Sequence, residues 1–226
     1  VARLLSQVLK EEEVLKYGHI VECGRQDLVG KYVGWTAQIV ESKFQAARGG
    51  ILFIDEAYSL VEDNRTYGAE AINTIVQEME NYRDEVIVIF AGYPEKMKEF
   101  LEQNEGLASR IAFHLNFPDY SPEELTQILD LMLKKSEYLM DERTREKCFS
   151  ICADACREEN YGNGRFVRNL LDHAIMRQAD RLIREHQNGT LGKEEACLLT
   201  ADDFEMIGLK KKPQSRQIGF CAGRTA

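Results

Sequence analysis

Two kinds of apolar pattern alternate along the first half of the chain. Short, nearly continuous apolar runs predict strands of a parallel sheet, because such strands are buried on both faces. Between them, apolar residues recur at three- and four-residue spacing, which predicts helices. The strands are predicted at 19–23, 51–54, 86–90 and 113–117, and the helices at 1–15, 36–48, 69–82 and 94–101. This alternation predicts a parallel α/β sheet with flanking helices.

The pattern changes near residues 117–120, and from Ser121 onward only helical spacing remains. Ser121 is a good helix cap, and Pro122 followed by two acids suits a first turn. Helices are predicted at 122–138, 141–158 and 163–187, with a short one from Ala201. We therefore expect an α/β domain at 1–118, a helical domain at 119–207 and a basic tail at 208–226.

Composition narrows the classes of function. A net charge of -9 over 226 residues argues against a general nucleic-acid surface, since phosphate binding needs clustered Lys and Arg. No run approaches the roughly 18 apolar residues of a membrane span, and no signal peptide is visible. We therefore expect a cytoplasmic protein with no membrane partner. Cys148, Cys152 and Cys156 are spaced by four without a C-x-x-C pair, which predicts buried free thiols on one helix face.

The apolar run Ile51–Ile54 ends in two adjacent carboxylates, Asp55 and Glu56. Ligands bind at the carboxyl ends of strands in open parallel sheets, so this pair is well placed for chemistry. An Asp there can hold Mg²⁺ on a nucleotide, and the adjoining Glu can orient or deprotonate an attacking water. Acid pairs also occur at helix caps, so the meaning of this pair depends on the other motifs.

A glycine-containing loop at 28–36 carries two aromatic residues between the first strand and the next helix. An exposed aromatic can grip many polypeptide sequences, because stacking and apolar contact require no particular partner. The alternative is a ring packed onto its own domain. We predict the exposed role for Tyr32, flanked by Lys31 and Val33, and the packed role for Trp35.

Three arginines are candidate phosphate ligands. Arg110 precedes the last predicted strand, and Arg165 and Arg168 lie one turn apart at the start of a helix. A guanidinium can neutralise the charge that develops in phosphoryl transfer, whereas a surface ion pair of Arg110 would contribute little. Arg165 falls in a first helical turn, where a cation is mildly unfavourable unless an anion is near. This local conflict favours a functional role.

Taken together, these features resemble the AAA+ ATPases, in the subfamily of the red-type Rubisco activases (CbbX) and the stage V sporulation protein K. The resemblance covers about residues 1–220. It is carried by the segments DLVGKYVG (27–34), ILFIDEAYSL (51–60), VIFAGY (88–93), SRI (109–111), FPDY (117–120), GNGR (162–165) and RQIGF (216–220). It implies a hexameric enzyme that uses ATP and Mg²⁺ to thread or remodel a protein substrate.

The resemblance also implies roles in hydrolysis. Asp55 and Glu56 match the Walker B pair, with Asp55 holding Mg²⁺ through the nucleotide. Arg110 matches an arginine finger supplied to a neighbouring subunit, although Ala108 stands where many relatives carry a second arginine. Tyr93 falls at the first sensor, where the family has a polar Asn or Thr.

Further roles concern the substrate and the nucleotide phosphates. Lys31, Tyr32 and Val33 match the loop that faces the central pore of the ring and grips a polypeptide. Arg165 matches the second sensor, a lid arginine that meets a nucleotide phosphate, and Arg168 assists from the next turn. The helical domain would then be the AAA+ lid.

The phosphate-cradling sequence of such enzymes, G-x-x-x-x-G-K-[ST], occurs nowhere in the 226 residues. In the family it immediately precedes the helix that begins here at Val1, and a central strand of the sheet precedes it. The expected α/β domain is therefore partial. We expect the chain alone to bind ATP weakly or not at all. The sheet edges left open predict aggregation or pairing with another chain.

Two alternatives to an active remodelling ATPase remain open. A natural relative without the phosphate loop could act as a non-catalytic regulatory module of a ring. The uncapped helical pattern at the start favours instead a piece of a longer, active protein. A DExx-box helicase is indicated only by Asp55-Glu56-Ala57-Tyr58, and the helical lid and acidic charge argue against it.

Overall fold

The structure is a computed structural model, and it describes residues 1–32, 34–61, 66–158, 161–185 and 192–206. The predictions made for Val33 and for the basic tail at 208–226 lie outside the described residues. The chain divides into two compact units, of which the first is Val1–Asn116 and the second begins at Phe117.

The first unit contains a three-stranded parallel sheet. Its strands lie in the order β1-β2-β3, and the register pairs Ile20 with Ile51 and Ile54 with Phe90. The strands are β1 (Ile20–Cys23), β2 (Gly50–Ile54) and β3 (Val86–Phe90). The helices are α1 (Ala2–Glu11), α2 (Arg25–Leu28), α3 (Trp35–Ala47), the 3₁₀ helix η1 (Ala57–Leu60), α4 (Thr66–Asn81), α5 (Pro94–Glu102) and α6 (Glu105–Ala108). The predicted α/β pattern is confirmed.

One apolar core joins the sheet to its helices. Leu52 and Ile54 of β2 are fully buried with Phe44 of α3, Ile75 of α4 and Phe100 of α5. Burial of each such side chain is worth about 1.5–3 kcal/mol. The core thus fixes β2 at the centre of the unit, and the position of its carboxyl end follows from that.

The strand predicted at 113–117 is wrong. Residues 111–120 form no regular element, and Phe113, Leu115 and Phe117 are exposed, with 85% of the Phe113 surface open to solvent. The apolar-polar alternation is that of a strand, but a strand also needs a hydrogen-bonded neighbour. No strand of the described sheet pairs with this segment.

The second unit is built mainly of helices. Its three long helices pack on one another around a second apolar core, and a short parallel pair joins Leu139 to Leu198 and Met140 to Leu199. Its elements are α7 (Pro122–Lys135), β4 (Leu139–Met140), α8 (Glu142–Ala155), α9 (Gly164–Glu185), α10 (Lys193–Cys197), β5 (Leu198–Leu199) and the 3₁₀ helix η2 (Ala201–Asp203). None of the described helices has the length and apolar character needed to cross a membrane.

The predicted helix start at Ser121 is confirmed. The Ser121 hydroxyl accepts the N–H of Glu124 at 3.2 Å, and the Glu124 carboxylate accepts the N–H of Ser121 at 2.9 Å. This reciprocal capping box satisfies two donors that a helix otherwise leaves open. The boundary between the two sequence patterns therefore coincides with a well-capped helix.

The prediction of buried thiols is confirmed for two cysteines. Cys148 and Cys152 are buried in α8, whereas Cys156, at its C-terminal cap, is partly exposed. Burial raises the pKa of Cys148 to about 12 and that of Cys152 to about 11. Both therefore remain protonated at neutral pH and are poor nucleophiles.

A charged pair closes the second core. Asp203, 2% exposed, accepts two hydrogen bonds from Arg181, at 3.0 and 2.9 Å, and its Oδ2 also accepts the N–H of Thr200 at 2.8 Å. Burial alone would raise the pKa of Asp203, but the hydrogen bonds from Arg181 and Thr200 outweigh burial and lower that pKa. The carboxylate thus joins η2 to α9 in its charged form.

Asp203→Asn should lower the free energy of unfolding of the second unit by on the order of 2 kcal/mol at pH 7, because a bidentate charged bond is lost. The lowered pKa means that this contribution is full above about pH 4 and is lost as the pH falls through the folded-state value. The difference between variant and wild type should therefore narrow from pH 7 to pH 3. This difference in free energy of unfolding can be measured by urea titrations that are monitored through resolved NMR signals of the second unit.

Glu185→Gln is the matched control. Glu185 lies 3.4 Å from the same guanidinium but is exposed, so its loss should cost less than about 0.5 kcal/mol. A pH-independent loss in Asp203→Asn would contradict the electrostatic explanation.

Candidate functional site

The acid pair lies at the carboxyl end of the central strand. The N–H of Asp55 donates to Cys23 O at 2.9 Å, which continues the β1-β2 ladder one residue past β2. Asp55 Oδ1 accepts the N–H of Glu56 at 3.0 Å, and both residues are exposed. Glu56 has φ +48°, a left-handed conformation that turns the chain sharply into η1. Two carboxylates are thus held by a rigid strand and open to a ligand.

The loop that follows β3 is tied to the same edge of the sheet. Ala91 donates its N–H to Ile54 O at 2.9 Å and accepts the N–H of Ala57 at 3.1 Å. Tyr93 follows two residues later as the N-terminal cap of α5, where 59% of its surface is exposed. The structure therefore brings Tyr93 to the sheet edge where Asp55 lies.

Sequence reasoning missed the support beneath this loop. Tyr58 of η1 is buried, with its ring centroid 6.3 Å from that of Tyr93 and 4.4 Å from Lys96 Nζ. A Cβ at Gly92 would lie 2.8 Å from the Tyr58 ring and from Met97 Sδ. Glycine is needed at position 92 because the backbone there lies close to the Tyr58 ring. The glycine in the motif Ala91-Gly92-Tyr93 could have indicated this close packing from the sequence.

A shallow depression of about 270 Å³ adjoins Asp55. Three carboxylate residues, Glu22, Asp27 and Asp55, are among its lining residues. An acidic surface of this kind repels phosphate groups unless a cation lies between them. The surroundings of Asp55 therefore favour a cation-bridged ligand over a bare anion.

The aromatic loop is exposed at both rings. The Tyr32 and Trp35 rings meet edge to face with centroids 4.9 Å apart, and the two residues are 62% and 54% exposed. The prediction that Trp35 packs onto its own domain is wrong, because more than half of its surface is exposed. Lys31 beside them is exposed as well, and Val33 lies outside the described residues.

Buried Thr36 holds this loop. The helix predicted from residue 36 begins one residue earlier, at Trp35, and its cap is Gly34 with φ +80°. The Thr36 hydroxyl accepts the N–H of Gly30 at 3.1 Å and so closes the base of the loop. The aromatic pair is thereby presented on an anchored base.

Arg110 makes contacts within its own unit. One Nη donates to Gly106 O at 3.1 Å, Nε lies 3.8 Å from Glu80 Oε2, and about a third of the side chain is exposed. These are the contacts of the surface ion pair weighed above. A role toward a neighbouring subunit would require the guanidinium to leave Glu80, and a weak exposed pair allows that.

Arg165 and Arg168 lie on the first turns of α9 in the second unit. Both are exposed, and neither side chain forms a hydrogen bond or ion pair with any described residue. Two cations near a helix N-terminus are unfavourable in isolation. Their surroundings are thus those of residues available to an anionic partner.

Comparison with known families identifies both units. Residues 2–119 match the ATPase family associated with various cellular activities (AAA), and residues 121–215 match the AAA lid domain. The chain therefore belongs to the AAA family of ATPases.

Its relatives lie in the predicted subfamily. The chain is 45% identical over 184 residues to the chloroplast ribulose bisphosphate carboxylase/oxygenase activase of Cyanidioschyzon merolae, covering 80% of this chain and 63% of that protein. It is 44% identical over 221 residues to the chromosomal protein CbxX of Cupriavidus necator, covering 96% and 69%. The chain thus spans about two thirds of the length of these relatives, and the predicted resemblance to the CbbX-type ATPases is confirmed.

A solved structure supports the fold. The AAA domain of FIGL-1, crystallised in complex with ADP, superposes with a TM-score of 0.58 at 21% identity, covering 81% of this chain and 59% of that one. At this identity the likeness shows an AAA fold and no more.

The residues present fit one part of a Mg²⁺–ATP site. Asp55 and Glu56 offer exposed oxygen ligands, which Mg²⁺ prefers, and an acidic setting that a cation would neutralise. The backbone cradle for β- and γ-phosphates has no counterpart in the sequence of these 226 residues. The 226 residues therefore offer oxygen ligands suited to Mg²⁺ but no phosphate-cradling sequence.

We expect ATP with Mg²⁺ to bind the chain weakly, with no saturation at micromolar concentration, because the cradle supplies most phosphate contacts. Isothermal titration, with the oligomeric state measured on the same sample by light scattering, tests this. Sub-micromolar binding to a monomer that Asp55→Ala abolishes would contradict it.

Proposed function

We propose that this chain is the hydrolytic and lid portion of an ATP-dependent AAA enzyme that remodels a protein substrate. The observation that carries the proposal is the exposed Asp55-Glu56 pair, fixed at the end of a buried central strand. Membership of the AAA family supports nucleotide hydrolysis as the source of energy.

In the proposed reaction the chain's own residues have separate tasks. Asp55 would hold Mg²⁺ on the nucleotide, and Glu56 would orient the attacking water and accept its proton. Arg110 would serve a neighbouring subunit, and Arg165 with Arg168 would meet phosphate from the lid. Tyr93, which is more than half exposed, would complete the polar edge beside the acid pair. ATP itself would supply the phosphoryl group whose transfer releases energy.

A protein is the proposed substrate class, gripped in the pore of a hexamer. The Cyanidioschyzon relative is named as an activase of another enzyme, which supports action on a protein. The exposed Tyr32–Trp35 pair on its anchored loop supports a grip that does not depend on substrate sequence. A non-catalytic regulatory module is the alternative, and it predicts no hydrolysis in any assembled form.

A chimera tests hydrolysis directly. The matched 221 residues of the Cupriavidus CbxX protein are replaced by the corresponding residues of this chain, and phosphate release from ATP is measured. Glu56→Gln should lower the rate at least about 100-fold while ATP still binds, because the water loses its base. Glu41→Gln is the matched control, because it makes the same change at an exposed position of α3, and it should leave the rate unchanged. Equal rates in Glu56→Gln and the unsubstituted chimera would refute the catalytic assignment.

A second measurement addresses the substrate. Addition of an unfolded polypeptide such as casein should stimulate hydrolysis by the chimera, and Tyr32→Ala should lower the ratio of stimulated to unstimulated rate by about fivefold, because the aromatic grip is lost. Tyr32→Phe keeps the ring and should retain the ratio. A ratio that depends on the hydroxyl rather than the ring would contradict a non-specific aromatic grip.

A further inference from the structure

A small set of side chains joins the segment entering the second unit to the start of α9. We call it the linker junction, formed by Asp119, Tyr120, Tyr161 and Asn163. Asn163 Oδ1 accepts the N–H of Tyr120 at 2.9 Å, and its Nδ2 donates to Asp119 Oδ1 at 2.7 Å. A reversed amide would set donor against donor and oxygen against carboxylate, so these partners fix its orientation. One side chain thus bonds residues 43 and 44 positions away.

Tyr161 anchors the junction in the core of the second unit. Its ring is buried and meets Phe166 edge to face, with centroids 6.3 Å apart. Its hydroxyl lies 2.8 Å from Tyr120 O and 2.9 Å from Asn163 Oδ1, and its single proton serves one acceptor at a time. Burial raises the pKa of Tyr161, so the hydroxyl remains a donor at neutral pH.

The backbone of Asn163 shapes the first turn of α9. Its φ is +51°, a left-handed conformation that non-glycine residues adopt at a cost unless their surroundings impose it. Its carbonyl accepts the N–H of Val167 at 3.2 Å, and the N–H of Arg165 donates to Gly162 O at 3.0 Å. The side-chain bonds of Asn163 therefore hold the turn that carries Arg165.

We infer that Asn163 is a positioning residue, whose side chain fixes the first turn of α9, and with it Arg165, relative to the linker at Asp119 and Tyr120. The exposed Arg165 side chain has no bonded partner among the described residues, so its location is set by the backbone that carries it. The consequence for nucleotide rests on the proposed function, in which Arg165 meets phosphate. The junction itself can be tested without nucleotide.

Asn163→Gly in the full chain is the informative variant, because glycine adopts a φ of +51° without strain and only the side-chain bonds are lost. We expect the amide hydrogens of Tyr120 and Arg165 to exchange at least about tenfold faster, measured by NMR residue by residue. Amides of Leu129 and Leu170, in the buried faces of α7 and α9, should change by less than about twofold.

Asn169→Ala is the matched control, since it removes another asparagine amide from exposed α9 surface outside the junction. It should leave the Tyr120 and Arg165 amides at wild-type rates. Unchanged exchange of both amides in Asn163→Gly would overturn the inference. Equal loss of protection throughout α7 and α9 would do so too, because it would indicate general support of the fold.

The link to nucleotide is measured in the chimera by ATP titration of Asn163→Gly, Arg165→Ala and the double variant. Asn163→Gly should weaken binding by about fivefold, and the double variant should bind no more weakly than Arg165→Ala alone, because one residue acts through the other. Additive losses would overturn the positioning role. Failure of the unsubstituted chimera to bind ATP would overturn the proposed function and the role of Arg165, while the exchange result would still decide the junction.

Discussion

The first unit depends on the pairing of Gly50–Ile54 with a parallel strand on each side. Both edges of this strand are hydrogen-bonded, and most of its residues are buried, so it cannot shift without breaking two ladders and the core together. Asp55 lies one residue beyond it and bonds to β1, while Ala91 ties the end of β3 to the same edge. The sheet, rather than the loops, therefore fixes the position of the candidate site.

Residues with different proposed tasks lie on structural elements of different rigidity: a buried strand, an exposed loop and the start of a helix. Asp55 extends the most buried strand, as a group that must hold a cation in a fixed place requires. Tyr32 lies in an exposed loop whose base is closed by Thr36, which suits contact with variable polypeptide. Exposed Arg165 depends for its location on bonds of a neighbouring side chain. This gradation supports hydrolysis at a fixed centre with adaptable contacts around it.

Local patterns predicted what local physics determines. The strand at Val86–Phe90 has its predicted bounds, and the capping box of α7 forms as its sequence indicates. The pairing of β4 with β5 depends instead on residues far apart in the sequence. Whether residues 113–117 form a strand depends in the same way on a distant pairing partner. The segment 113–117 has the right alternation, yet it lies exposed because no described strand pairs with it. Trp35 was misjudged for a related reason, since burial of a ring depends on which surface it meets in three dimensions.

The left-handed backbone conformations were also not predictable from the sequence. Among the described residues, four non-glycine residues have positive φ. Glu13 and Glu137 follow the ends of α1 and α7, where the next residues bond back to Leu9 O and Leu133 O as left-handed helix caps do. Neither Glu56 nor Asn163 ends a helix: one is the candidate catalytic acid, and the other precedes Arg165 by two residues. A left-handed conformation costs free energy in a non-glycine residue, so its surroundings must impose it. Glu56 directly follows the paired strand β2, and Asn163 is bonded to Asp119 and Tyr120.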